Sequence, residues 1–221
     1  MGLHALIVGA GGGISASMAR LLLADGWSVA LASRTIDGKS IPGAETATRH
    51  VCDASNSAHV AALFVALDEA GRTPDFVLFN ASARLRGPLL DLDPKAVEQA
   101  LIVSAFGGFL VAQEAARRMA AKGSGAIFFT GASASVKGYA QSAPFAMGKF
   151  ALRGLAQSLA RELHPKGIHV AHFIIDGLVK EPARPADPAR PNAMLDPDAI
   201  AASYMSVLKQ PPNAWTHEAD L

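Results

Sequence analysis

A strand-like run from His4 to Val8 is followed at once by Gly9, Ala10, Gly11, Gly12, Gly13, Ile14 and Ser15, and an apolar helical stretch runs from Ile14 to Ala24. Glycines between a strand and a helix permit a tight turn and let backbone N–H groups close on a phosphate, where the helix dipole also favours negative charge. Strand before and helix after raise this cluster above a merely flexible turn. Gly9, Gly11, Gly12, Gly13 and the Ile14 amide are therefore candidate pyrophosphate ligands, and the chain is committed to a βα beginning.

The same alternation continues. Ser28 to Ala32 reads as a second strand, while Gly38, Pro42 and Gly43 leave no room for a full crossover helix between Ile36 and Glu45. Thr46 to Val51 reads as a strand, Ser57 to Ala70 as a helix, and Phe76 to Phe79 as a strand apolar on both faces. A long helical region from Pro94 to Lys122, a strand from Ala126 to Thr130, a helix from Ala143 to His164 and a strand from Ile168 to Ile175 follow. Asp196, Pro197 and Asp198 open a helix to Lys209 as N-cap, first-turn proline and first-turn acid, and Ala214 to Leu221 can add an edge strand. Strand and helix alternating with right-handed crossovers give one α/β domain with a doubly wound parallel sheet of Rossmann type.

Composition narrows the partners. Twenty basic residues balance nineteen acidic ones, for a net charge of +1, and no Lys or Arg stripe forms, so nucleic acid is not expected. The lone Cys52 excludes an internal disulfide and no leader-like segment opens the chain, which fits a cytoplasmic setting. No uninterrupted apolar run approaches the roughly 20 residues needed to span a bilayer, so no membrane partner is expected. Small and apolar residues surround much of the helices from Lys95 to Lys122 and from Ala143 to His164. Such helices need cover on two sides and imply a homodimer or homotetramer.

About twenty residues beyond the glycine turn, where an acid ordinarily grips the adenosine ribose, stand Ser33 and Arg34. A guanidinium there suits a ribose 2′-phosphate, with Ser33 and Lys39 assisting, and points to NADP(H) over NAD(H). Asp53 is placed to accept from an adenine amino group, to cap the following helix, or both.

The glycine turn, Asp53, the run Phe79-Asn80-Ala81-Ser82 and Lys149 together resemble the short-chain dehydrogenase/reductase family, over nearly the whole chain. The resemblance implies cofactor contacts from Asn80, Ala81, Lys149 and Gly177. The family pattern is altered at several places: Val8 and Ser15 in the glycine turn, Phe79 and Ser82 after the fourth strand, and Asp176 before Gly177. Phe145 stands where the family's proton-exchanging tyrosine is expected, one helical turn before Lys149. Ala132 takes the place of the carbonyl-polarising serine, with Ser133 as its displaced equivalent and Ser135 close by. Ser104 takes the place of a helix asparagine. Lys149 then keeps the task of binding ribose hydroxyls, and Tyr139, in the loop leaving the fifth strand, is an alternative proton source or an exposed loop residue.

Other reactive side chains carry less. His169 and His172 fall on opposite faces of a strand and cannot share a metal, His164 suits a helix C-terminus, and Cys52 suits packing. Glu181 to Pro197, with Arg184 and Arg190, occupies the position of a substrate lid or of a plain connector. Two readings of function follow. One is an NADP(H)-dependent oxidoreductase of short-chain type acting on a small carbonyl or alcohol with altered proton transfer; the other is a non-catalytic NADP(H)-binding redox sensor or assembly partner.

Overall fold

The structure is a computed structural model that describes residues 2–36, 41–182, 187, 189–190 and 193–221. Its strands are β1 (His4–Val8), β2 (Ser28–Ser33), β3 (Thr48–Val51), β4 (Phe76–Phe79), β5 (Gly125–Thr130), β6 (Ile168–Ile174) and β7 (Glu218–Asp220). They form one sheet in the order β3-β2-β1-β4-β5-β6-β7, parallel throughout. The expected doubly wound α/β architecture is thus the observed one. The order reverses between β1 and β4, and in such sheets the crevice beyond the carboxyl ends of these strands is where ligands bind.

The helices are α1 (Ile14–Ala24), α2 (Ser57–Glu69), α3 (Pro94–Leu101), α4 (Gly107–Lys122), α5 (Ala143–Leu163) and α6 (Pro197–Leu208). Side chains alternate across the sheet. Ala5 and Ile7 of β1 pack with Met18 of α1 and Tyr204 of α6, whereas Leu6 and Val8 pack with Phe64 of α2, Val111 of α4 and Leu152 of α5. All four residues of β4 are fully buried, as a strand covered on both faces requires. Each fully buried side chain of this size contributes about 1.5–3 kcal/mol.

Two expectations change. The region from Pro94 to Lys122 is not a uniform α-helix, because Ile102–Phe106 widens into a π turn. The wider turn directs the Ser104 hydroxyl to the loop after β4 and seats Gly107 against the Ala54 carbonyl, where an added Cβ would lie 2.8 Å away. The same 29-residue stretch is long and apolar enough, by length and composition, to cross a membrane. It lies instead along the sheet, with Val111, Ala115 and Met119 buried in the core. At the other end of the chain, Pro212–Ala214 forms a tight helical turn and Trp215 stacks on His169 at 4.7 Å, so the chain joins β6 only from the His217 carbonyl, which accepts from His172 N, and β7 is shorter than the apolar pattern suggests.

His169 and His172 do point to opposite sides of β6: the first packs between Trp215 and Phe128, and the second meets the Ser135 hydroxyl at 3.3 Å. Burial pushes the His172 imidazole down from 6.5 to about 4, against the pull of the Glu218 carboxylate. In the unfolded chain the group titrates near its ordinary value, so between these two values the unfolded chain holds a proton that the folded one refuses. Stability should therefore fall by up to about 3 kcal/mol as the pH drops through that window. His172→Gln should lose this part of the acid sensitivity. Urea midpoints of the two proteins at about pH 7 and about pH 4.5 measure it, and equal losses would clear His172 of responsibility.

Candidate active site

Three adjoining cavities run along the carboxyl edge of the sheet. The central one, about 480 Å³, lies between the glycine turn, the ends of β5 and β6, and α5. A second, about 340 Å³, shares Gly9, Asn80 and Ser82 with it and extends to Ser33, Arg34, Asp53 and Ala81. The third, about 300 Å³, shares Ser133, Phe145 and Gly177 with the central cavity and extends to Tyr139, Ser142 and Asp176.

The glycine turn is built around close backbone approach. Gly9 has a φ of +86°, and an added Cβ would stand 2.3 Å from the Ala81 nitrogen. Gly11, Gly12, Gly13 and Ile14 form one wall of the central cavity. Ser15 Oγ donates to the Gly9 carbonyl at 3.1 Å, and Asn80 Nδ2 donates to Ser15 Oγ at 2.8 Å, which locks the turn to the end of β4. Ser15, noted in the sequence only as a departure from the family pattern, is thus a structural tie. A serine one turn from a glycine at a helix start is the signal that reveals it.

In the second cavity Arg34 stands beside Asp53 and helps hold that carboxyl below its ordinary range, although hydrogen bonding from Ser55 is the larger cause. Ser33 Oγ is buried and has no partner among the described residues. A buried hydroxyl without a partner is costly unless something bonds it, so a sugar or phosphate oxygen fits this corner. Asp53 does not cap α2. Its Oδ1 accepts from the backbone and hydroxyl of Ser55, while Asn56, immediately before the helix, accepts from Ala58 and His59. Lys39 lies outside the described residues. Cys52, with its thiol pushed up to about 11 by burial, is an inert packing residue.

The central cavity holds the chemistry. Lys149 is buried on α5, its Nζ donates to the Thr130 carbonyl at 2.7 Å, and burial lowers its pKa to about 8. That contact uses one of three donors and leaves two for a ligand in the cavity. Two cations approach the Phe145 ring: the Lys149 ammonium, 5.8 Å from its centre, and the Arg84 guanidinium, 5.3 Å from it. Of the two serines after Ala132, Ser135 is fully buried and accepts from the Ala132 amide, so only Ser133 faces ligand space. Ser133 also lies within hydrogen-bonding reach of the Tyr139 hydroxyl and the Asp176 carboxylate. Lys137 completes the group, 3.3 Å from Asp176 and 5.6 Å over the Tyr139 ring.

Nearly every residue singled out in the sequence meets along this crevice. Ser104 does not: it is buried outside all three cavities, and its Oγ accepts from the Ala83 amide at 3.1 Å. It holds the loop that carries Arg84 and has no access to a ligand. Arg184 lies outside the described residues, and Arg190 pairs with Asp187 at 3.2 Å away from the crevice. The first residues of that segment do border the crevice: Glu181 lines the central cavity, and Pro182 packs on the glycine turn, where a Cβ added at Gly12 would lie 2.8 Å from its ring. The sequence reading passed over Arg84, Arg86, Lys137 and Ser142. The alternation of Arg84 and Arg86 after a strand end, and a serine directly before Ala143 and Pro144, are the signals that mark them.

A doubly wound sheet with a glycine cradle at its switch point, continuous with a pocket lined by a buried lysine, defines a nucleotide-binding α/β protein with room for a second ligand. Residues 3–185 match the model of the short chain dehydrogenase family, and the chain belongs to that family of oxidoreductases. A 3-oxoacyl-[acyl-carrier-protein] reductase, MabA, of Mycobacterium tuberculosis is 29% identical over 79% of this chain and 68% of its own. The crystal structure of a short-chain dehydrogenase from Rhodopseudomonas palustris has 34% identity and a TM-score of 0.83, covering 99% of this chain and 97% of its own. A metagenomic short-chain oxidoreductase solved with NADP has 25% identity and a TM-score of 0.83, covering 100% of this chain and 96% of its own.

Proposed function

We propose that this chain is an NADP(H)-dependent oxidoreductase that interconverts a small carbonyl compound and its alcohol, with Tyr139 handling the proton that residue 145 cannot. The observation that carries the reading is the continuity of the three cavities, from a guanidinium and an unpartnered serine hydroxyl, past the glycine cradle, to a serine, a tyrosine and a buried lysine. When bound, the dinucleotide supplies or accepts a hydride. Gly11, Gly12, Gly13 and the Ile14 amide would hold its pyrophosphate, Arg34 and Ser33 a 2′-phosphate, Asp53 the adenine, and Lys149 the ribose hydroxyls nearer the chemistry. Asn80, Ala81 and Gly177 shape the walls. The NADP complex of the metagenomic relative supports the cofactor, and the mycobacterial relative's 3-oxoacyl reductase activity supports carbonyl chemistry.

The protein's own part in reduction is to orient the carbonyl and complete the hydroxyl. Ser133 donates to the carbonyl oxygen. As the C=O π pair moves onto that oxygen, Tyr139 Oη supplies the proton, and solvent reprotonates the exposed phenolate. Phe145 has no proton to exchange, which leaves Tyr139 as the phenol lining this crevice. NADPH oxidation measured against a panel of ketones and aldehydes tests the proposal. No turnover with any of them, alongside tight NADPH binding, would instead make the chain a nucleotide-binding sensor.

Cofactor choice provides a separate test. NADPH should bind at least tenfold more tightly than NADH, since the 2′-phosphate gains a charge-assisted pair with Arg34 worth about 1.5–3 kcal/mol. Arg34→Ala should remove most of that margin. Fluorescence titration of both dinucleotides reads it, and equal affinities in the unmodified protein would defeat the assignment.

Assembly belongs to the same proposal. Phe106 and Phe109 stack at 6.0 Å on the outer side of the π turn and α4, and Met147 and Phe150 stand out from α5, each of the four more than 40% exposed. Pairing these helices with a second copy would cover them as a homodimer or homotetramer. Light scattering at micromolar concentration should show no monomer, and Phe109→Glu with Phe150→Glu should release it. The lone buried Cys52 thiol accords with a cytoplasmic protein, which is the compartment proposed.

A further inference from the structure

The third cavity contains features that neither hydride transfer nor the proton step uses. Ser142 is 1% exposed, lines this cavity, and its Oγ has no hydrogen-bond partner among the described residues. It occupies the N-cap position of α5, where a serine ordinarily accepts from the first-turn amides, yet it makes no such bond. The hydroxyl is thus held in reserve at the positive end of a 21-residue helix. Arg84 and Arg86 line the same cavity from the loop after β4. That loop is tied to the start of α5, since Gly87 N donates to the Gln141 carbonyl at 3.0 Å. Gln141 itself has a φ of +58°, a conformation that residues other than glycine seldom keep without a reason in the surroundings. Asp176, the acid among the described residues lining the cavity, is paired with Lys137.

Resting on the oxidoreductase reading above, we propose that this cavity binds a carboxylate on the substrate, so that the enzyme's substrates are oxo acids or hydroxy acids. The Arg86 guanidinium and the Ser142 hydroxyl donate to the carboxylate, and the first turn of α5 adds its dipole. Arg84, stacked on Phe145 at the junction with the central cavity, marks the passage between the anionic end and the reacting carbonyl. The substrate is oriented by one charged group, with its carbonyl at Ser133 and Tyr139.

The test compares acetoacetate and levulinate with their methyl esters, in NADPH oxidation by the full-length protein. In parallel, calorimetry measures oxamate and neutral oxamide binding to the NADPH-saturated protein. The acids should be reduced with a kcat/KM at least about tenfold above the esters, as a charge-assisted pair predicts. Arg86→Gln should erase that preference by raising the KM of the acids to that of the esters. Ser142→Ala should raise KM for the acids without lowering the thermal midpoint, because no cap bond is lost. Oxamate should bind and oxamide should not. Acids and esters reduced alike, or oxamate binding unchanged in Arg86→Gln, overturn the carboxylate site and leave the oxidoreductase reading standing. Oxamate binding that depends on Arg86, with no turnover of any carbonyl, keeps the site and overturns that reading. Neither binding nor turnover overturns both.

Discussion

Tyr139→Phe should slow NADPH-dependent carbonyl reduction by about 10²-fold or more while leaving NADPH affinity unchanged, because it removes one proton donor and nothing that touches the dinucleotide. Hydrogen bonding with Ser133 and with Lys137 lowers the pKa of the Tyr139 phenol, in that order of size, while Asp176 opposes the shift. Reduction needs the protonated phenol, so the rate should fall as the pH rises through a value below the ordinary phenol range near 10. Lys137→Met should move that falling limb to higher pH. The groups facing the phenol are Ser133 and Lys137 on its own loop, Asp176 after β6, and Arg84 and Arg86 after β4. A spectroscopic check is independent of turnover. The chain has two tyrosines, and burial drives the other, Tyr204, above the usual range. The first tyrosinate to appear at 295 nm should therefore be Tyr139, and it should vanish in Tyr139→Phe. A variant that reduces carbonyls as fast as the unmodified protein would dismiss Tyr139 as the donor.

The fold was legible because its determinants are local. A glycine cluster between strand and helix, four consecutive apolar residues at 76–79, and a Pro-Asp helix start after Asp196 each specify their element without reference to the rest of the chain. Most element ends moved by a residue or two, and the start of β7 moved by four, from Ala214 to Glu218. The π turn at Ile102–Phe106 was illegible for the opposite reason. Nothing in Ile-Val-Ser-Ala-Phe forbids a regular helix; the wide turn accompanies two contacts made far away in sequence, with Ala83 and with Ala54.

The site divides the same way. Its nucleotide side could be read from spacing, since Gly9, Arg34 and Asp53 sit at strand ends that any doubly wound sheet brings to one edge. Its other side could not, because loops compose it. That Ser133 and not Ser135 faces the ligand depends on how one short helical turn is rolled. Ser135 is drawn inward by the Ala132 amide and His172, which frees Ser133 to meet Tyr139 and Asp176. Ser104 was misplaced by position alone. It occupies the expected helix, but the π turn presents it to a backbone amide and not to the cavity.

If residue 145 is where the family's chemistry ordinarily resides and Tyr139 has taken over the proton, then restoring a hydroxyl at 145 should make Tyr139 dispensable. Phe145 is half-buried, borders both the central and the substrate cavities, and lies one helical turn before Lys149. A tyrosine there would bring a phenol toward a buried ammonium whose pKa is already lowered to about 8. Because it would offset that buried charge, the tyrosinate would be favoured and its pKa lowered toward the working pH. In the Tyr139→Phe background, Phe145→Tyr should thus recover about 10²-fold in turnover. In the unmodified background the gain should be smaller, since one donor suffices. Lys149→Ala should abolish the recovery and weaken cofactor binding in every background. These proteins, assayed with one oxo acid across a pH series, separate the alternatives. Recovery that persists without Lys149 would mean the new phenol works untuned. No recovery at all, with NADPH still bound, would mean the carbonyl never meets position 145, so that its place beside Tyr139 is not an inherited one but a different seat in the crevice.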